Sequence, residues 1–442
     1  MTIRNQFGLI HSGAHQDSLE TYERALRQLL CYIEDPITTV NNAIAESPEF
    51  TMAHILKAYL HLLGTEPGDI AIANTCLKAT LRLGGDSRER MHQQAVRHLI
   101  EGRWHQAGRV LEDITIDNPH DILALQAGHL VDFYTGNSLM LRDRIARAFP
   151  KWNSNMPEYH AILGMYAFGL EETGLYDLAE RHGRESVALN PRDGWGQHAV
   201  AHVMEMQGRA AEGVAWMREN PDAWATDSFF QVHNWWHLAL YHLELGEIDE
   251  VLALFDGPIY GEQSTMVLDM IDVSAMLWRL HLRGIELGDR WQAIADGWTP
   301  IATAGNYAFN DLHAVMAFIG ANRQDSIDAV IDTQKIAMEQ DDDNALFTRE
   351  VGYPLTLAFK AYADEDYQRT VELIRPVREI ANRFGGSHAQ RDILNLTLIE
   401  AALRAGDANL ANALIAERME KRPDSPLLRL FNQRAHDMRK AA

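Results

Sequence analysis

Apolar positions recur along this chain with the spacing of amphipathic helices, and glycines punctuate the pattern where one helical segment ends and the next begins. Gly64, Gly102, Gly136, Gly174, Gly208, Gly246, Gly288 and Gly406 each follow an apolar-periodic stretch and open another. The first seven are separated by 38, 34, 38, 34, 38 and 42 residues. These intervals equal one helix-turn-helix unit of about 34 residues plus zero, one or two helical turns. The pattern predicts antiparallel helix pairs stacked in one continuous array, which grows by adding units.

The clearest unit runs from His98 to Pro119: a first helix ends at Gly102, a second runs through Leu111, and Pro119 stops it. Gly174 with Pro191 and Gly406 with Pro423 repeat that offset of 17 residues. The arrangement resembles the tetratricopeptide repeat. The predicted fold is therefore an all-α, tetratricopeptide-like α-solenoid, a right-handed superhelix of antiparallel helix pairs with about nine to ten repeats. Residues 1–20 read as an N-terminal extension, 20–290 as regular repeats, 291–400 as irregular repeats whose long loops cover the groove, and 401–442 as the last repeat and a basic capping helix over 427–440. Segments 21–32 and 37–46 read as a helical pair before Gly64. Beyond about 290 the frame loosens, with turns expected at Asn322 or Arg323 and at Asp364 or Glu365. Longer connections are expected over 255–265, 297–306, 340–354 and 382–390, and loops of that length in a compact array usually carry function or are disordered.

Composition narrows the picture. The chain has 442 residues, of which 46% are hydrophobic, with no apolar run approaching the roughly 18 needed to span a bilayer. Its beginning lacks a charged segment followed by an apolar one, so no export is expected, and Cys31 and Cys76 leave no room for a disulfide framework. A cytoplasmic protein follows. A formal charge of −22, with basic residues scattered, argues against nucleic acid and against membranes as partners. Twenty His and ten Trp are each roughly twice the ordinary share.

The turn glycines act as a ruler for side-chain direction, at about 100° per residue. Before Gly208 the packing stripe is Gln197, Val200, Ala201 and Met204; before Gly246 it is Trp235, Leu238, Ala239 and His242. The concave stripe carries different chemistry: His198, His202 and Glu205 before Gly208, His233, Trp236 and Glu244 before Gly246 with His237 one residue off, and Gly164, Phe168, Glu171 and Glu172 before Gly174. His242, His129 and His281 are expected to be hydrogen-bonded core histidines. His54, His61, His92 and His105 have no constellation around them.

For His198, His202, His233 and His237, a hydrogen-bonded polar wall competes with three functional readings. Two His-x3-His pairs set imidazoles at i and i+4, a spacing that chelates zinc or another divalent ion. His and Glu can instead act as general acid and base without metal. The third reading is recognition alone, with Trp236, Glu171, Glu244 and Asn310 helping to bind a polar or aromatic small molecule. Further polar groups gather where the frame loosens. Asn310, Asp311 and His313 begin one first helix, where a helix cap is the plainer role for one of them; His388, Arg391 and Asp392 open another, capped by Ser387, with Arg391 and Asp392 able to pair with each other. If these loops close over the groove, they face the 198–237 cluster and exclude water.

The stretches Tyr159 to Glu172, His198 to Arg209, His233 to Glu244, Phe309 to His313 and Gly386 to Asp392 resemble the tetratricopeptide repeat protein 38 family, over about 20 to 425. The resemblance implies an all-helical, cytoplasmic repeat protein and brings no catalytic assignment. Two functions stay open. One is a small-molecule site in the groove, with an enzyme of hydrolase or lyase type as its catalytic form and a divalent metal as an option. The other is an interaction scaffold gripping a peptide or partner helix, whose commonest form wants Lys, Arg and Asn where this chain offers His, Glu, Phe and Trp.

Overall fold

At each of the turns Gly102, Gly136, Gly174, Gly208, Gly246 and Gly406 the glycine takes a positive φ, between 64° and 82°. There the backbone reverses through paired hydrogen bonds: Gly208 N–H donates to Glu205 O and Arg209 N–H to Met204 O, satisfying carbonyls that the helix end leaves open. Residues without a Cβ bear this conformation at least cost. The computed structural model describes residues 2–423 and 425–441. It is an all-α, tetratricopeptide-like solenoid. Among the described residues the only strands are Thr2–Arg4 and Ile10–Ser12, an antiparallel hairpin with Ile3 opposite His11. Among the described residues no helix is long and apolar enough to cross a membrane, and Cys31 and Cys76 are free and buried.

The turns differ from the ruler at two places. Gly64 is not a left-handed residue; Thr65 takes that conformation at φ 58°. The helix Val267–Leu282 is closed by Gly284, at φ 73°, and Gly288 lies just before Arg290–Trp298. Gly284 follows Gly246 by 38 residues and precedes Asn322, the left-handed residue that closes Ala308–Gly320, by 38, so the regular interval continues past 290. The later turn is Glu365, at φ 61°. The expected long loops are also largely structured. Asp342 caps a helix Asp343–Phe347 by accepting from Ala345 N–H at 2.8 Å, and a π-helical turn Thr348–Gly352 carries it into Tyr353–Ala363. A second π-helical turn, Phe255–Ile259, follows Ile248–Leu254, and a 3-10 turn Ala381–Phe384 shortens the 382–390 connection. The extension over 1–20 contains the hairpin and the start of Gln16–Cys31, and the capping helix is Pro426–Ala441.

The chain divides into two compact units. The first comprises 1–200 and 221–231, the second 201–220 and 232–442. In the first, Thr51–Leu62 packs on Asp69–Leu83, Ser87–Ile100 on Trp104–Asp117, and Tyr159–Glu171 on Tyr176–Leu189. In the second, Val267–Leu282 packs on both Ala308–Gly320 and His388–Arg404, and Tyr353–Ala363 packs on Tyr367–Val377. Those two contacts make Val267–Leu282 an interior helix, buried almost throughout its length.

Candidate functional site

The stripe assigned to an open concave surface is buried. His202, Trp236 and His237 are 0% exposed, and His198, His233, Phe168, Glu171, Glu172 and Glu205 are all buried; Glu244 is half-buried. Trp235, assigned to the packing stripe, is the less buried of the two tryptophans. The helix Gln231–Leu245 therefore directs His233, Trp236, His237 and Leu240 inward, because Val267–Leu282 of the same unit covers that face through Asp272 and Arg279.

Three imidazoles converge in this interior. One ring nitrogen from each of His202, His233 and His237 lies within 4.8 Å of the others. The ring centroids of His202 and His237 are 4.6 Å apart, those of His233 and His237 5.0 Å. Two of the rings are held by buried carboxylates: His233 Nδ1 meets Asp272 Oδ2 at 2.6 Å, and His237 Nδ1 meets Glu205 Oε2 at 3.0 Å. Donation of the Nδ1 proton to a carboxylate fixes the tautomer and gives Nε2 the lone pair. Burial holds the His237 pKa well below the ordinary value, and the neighbouring His202, His233 and Arg279 push it the same way. His237 is accordingly neutral near pH 7.

Arg279 joins this trio to the segments expected to close over it. Its guanidinium lies 5.2 Å from the Trp236 ring centroid, and it donates to Ala389 O at 2.7 Å. The segments around 309 and 386 touch each other: the Phe309 ring lies 5.1 Å from that of Phe384, and a Cβ on Gly386 would meet the Phe309 ring at 2.5 Å. His313 donates from Nδ1 to Phe309 O at 2.7 Å, while its Nε2 is buried without a hydrogen-bond partner. Burial lowers the His313 pKa to about 4. Asp311 is buried opposite Gln334, and burial raises its pKa to about 7. Asn310 is buried beside it.

Other assignments change. Ser387 caps His388–Arg404, accepting from Gln390 N–H. Arg391 and Asp392 do not pair, since adjacent helical residues diverge: Arg391 donates to Gly385 O and Gly386 O of its own loop and lies 3.5 Å from half-buried His388, whereas Asp392 takes a bidentate pair from Arg418. Although burial opposes ionisation, Arg418 and Arg422 hold the Asp392 carboxyl below the usual range. Glu244 accepts from Ser425. In the first unit His198 sits in an aromatic cluster with Phe168, Trp195 and Phe230, at 5.1–5.7 Å between centroids, and Glu171 is fully buried. His242 is buried and bonded to Glu247 at 2.6 Å. His92, read as isolated, lies in a buried chain: Tyr59 Oη meets its Nδ1 at 3.0 Å, and Asp121 meets its Nε2 at 3.1 Å and also pairs with Arg88.

Sequence reasoning missed Asp272, Arg279, Arg283, Arg418 and Arg422. A signal existed for the first two: charges at positions seven apart inside a largely apolar helix, Val267–Leu282, demand buried partners.

No family model matches the chain. Among solved structures it is similar to the human IFIT1 dimer with m7Gppp-AAAA, at 18% identity, covering 97% of this chain and 96% of that one with a TM-score of 0.43. It is also similar to yeast Tom70, at 13% identity, covering 96% and 89% with a TM-score of 0.33, and to the APC/C hetero-tetramer Cut9-Hcn1, at 13% identity, covering 95% and 96% with a TM-score of 0.27. The exclusion of nucleic acid as a partner is corrected by the IFIT1 complex, which holds a capped RNA ligand. Net charge sums over the whole molecule and does not decide what one cleft accepts.

Proposed function

We propose that this tetratricopeptide-type solenoid, a fold compatible with an interaction scaffold, carries a small-molecule centre in its second unit, built on a divalent metal held by His202, His233 and His237. The observation that carries the reading is the convergence of three buried imidazoles, two backed by the carboxylates Asp272 and Glu205. Zinc sites in enzymes take three protein ligands and keep a further position open, and their histidines typically donate the remote N–H to a carboxylate. A bound divalent ion would supply Lewis-acid polarisation of a substrate oxygen, which fits the hydrolase class.

The metal-free alternative, general acid catalysis by His237, fits less well. An acid catalyst needs a pKa near the working pH, and burial holds His237 far below it. Trp236, Arg279, Asp311, His313 and the 388–392 segment are the remaining side chains we assign to this centre, and the tetratricopeptide repeat protein 38 family and the cytoplasm remain our readings of kinship and location. Elemental analysis of the purified full chain tests the proposal. About one divalent ion per chain is expected in the wild type, lost in both His202→Ala and His237→Ala. A metal-free wild type that also takes up no zinc after chelator treatment sinks it.

A further inference from the structure

A cleft of the second unit is lined by Arg279, Arg283, Arg418 and Arg422 together with Glu205, Glu244 and Asp392. We propose that it binds a small molecule through an oxyanion group, a phosphate or a carboxylate. The three carboxylates are already engaged: Asp392 with Arg418, Glu244 with Ser425, and Glu205 with His237 while 3.7 Å from Arg422. Arg279 and Arg283 stand one turn apart at the end of the interior helix, and among the described residues neither forms an ion pair. They donate to backbone carbonyls instead, Arg279 to Ala275 O and Ala389 O and Arg283 to Leu243 O at 2.6 Å.

Arg279 is only 3% exposed, Asp392 and Glu205 act on it without forming an ion pair, and a buried guanidinium with no direct partner is costly unless an anion completes it. Arg418 adds a buried Nε without a hydrogen-bond partner. Burial pushes Arg279 and Arg283 each down to about 10, against the pull of Asp392 and Glu205 on the first and of Glu244 on the second and with the neighbouring arginines adding to the fall, so the group still carries its positive charge at neutral pH. Guanidinium forks match the planar edge of a carboxylate and the face of a phosphate, which ranks these two chemistries above a halide. Because Glu205 lines the cleft and also holds His237, the anion would lie next to the imidazole trio; that adjacency, unlike the binding itself, rests on the function proposed above.

Calorimetric titration of the full chain with inorganic phosphate and with succinate, at matched ionic strength in chloride and with a chelator present, tests the proposal. At least one anion is expected to bind saturably, and Arg283→Gln to weaken it tenfold or more, with Arg422→Gln as the second variant should the first fail to fold. Binding of neither anion overturns the proposal, as does binding unchanged in both variants. Binding seen only without chelator and indifferent to both substitutions also overturns it, and would assign the anion to the metal. The metal content of the same preparation reports separately on the imidazole trio.

Discussion

Replacing Asp272 with Asn isolates the contribution of the carboxylate behind His233. The pair is buried on both sides, at 5% and 0% side-chain exposure, with 2.6 Å between Nδ1 and Oδ2, the length of a charge-assisted bond. Such bonds contribute about 1.5–3 kcal/mol, neutral ones about 0.5–1.5. Asn keeps the shape and an acceptor oxygen, so the expected loss is the difference, about 1–1.5 kcal/mol, or roughly tenfold in metal affinity. Asp272→Ala also strands the Nδ1 proton, and the loss should approach a hundredfold, the upper end for partners of metal-bound histidines (about 10–100-fold). Zinc affinity would be read by competition with a chromophoric chelator at pH 7, with urea unfolding as a control for the fold. An affinity for Asp272→Asn within twofold of wild type, in a protein whose His202→Ala variant has lost zinc, refutes the idea that Asp272 orients a ligand.

Three further outcomes follow from the same reasoning. Asp311→Asn should raise the urea midpoint at pH 8 and leave it unchanged near pH 4: the folded carboxyl, raised by burial to about 7, binds its proton more tightly than the unfolded one, so Asp311 costs stability progressively as pH rises from about 4 to 7 and fully above it. Asp121→Ala should destabilise by about 3–5 kcal/mol by leaving Arg88 buried and unpaired, and should flatten the acid limb of the stability profile. The sign follows because His92 and Arg88, against the cost of burial, hold Asp121 below its unfolded value, so its contribution is present above about pH 4 and is lost as pH falls. Gly213→Ala should cost about 1–3 kcal/mol in urea unfolding, because the new methyl would run into the Tyr241 ring, anchored through its hydroxyl to Ala201 O.

The repeat was legible because a left-handed turn selects glycine, and glycine can be counted. Gly284 was overlooked for Gly288 because both stand near the expected interval, and Asn322 and Glu365 were hard to place because side-chain-bearing residues in that conformation leave no mark in composition. The helical wheel set His202 on one helix and His233 and Trp236 on another along the stripe read as concave, but it cannot say what lies against that stripe. Here the cover comes from 39 residues away, where Asp272 meets His233. Adjacency misled in the opposite direction: Asp392 found its partner in Arg418, 26 residues on, and not in neighbouring Arg391.

The two units bury charge in different ways, and the contrast bears on function. In the first, the buried groups close on one another: Tyr59, His92, Asp121 and Arg88 form one continuous chain, and Arg144 takes a bidentate hold on Asp132 while donating to Gly108 O. In these networks each buried guanidinium meets a carboxylate, although Arg88 Nε and Arg144 Nη1 are left without a hydrogen-bond partner. In the second, Arg279 and Arg283 have only backbone carbonyls, Asp311 has only Gln334 at 3.5 Å, and His313 keeps an unbonded Nε2. Apolar residues at these positions would pack at lower cost than half-satisfied ions. A role confined to holding the fold would be served by paired charges such as Arg88 with Asp121 and Arg144 with Asp132. Guanidiniums that meet only backbone carbonyls, as Arg279 and Arg283 do, are what an interior looks like when an anion from outside is to complete it.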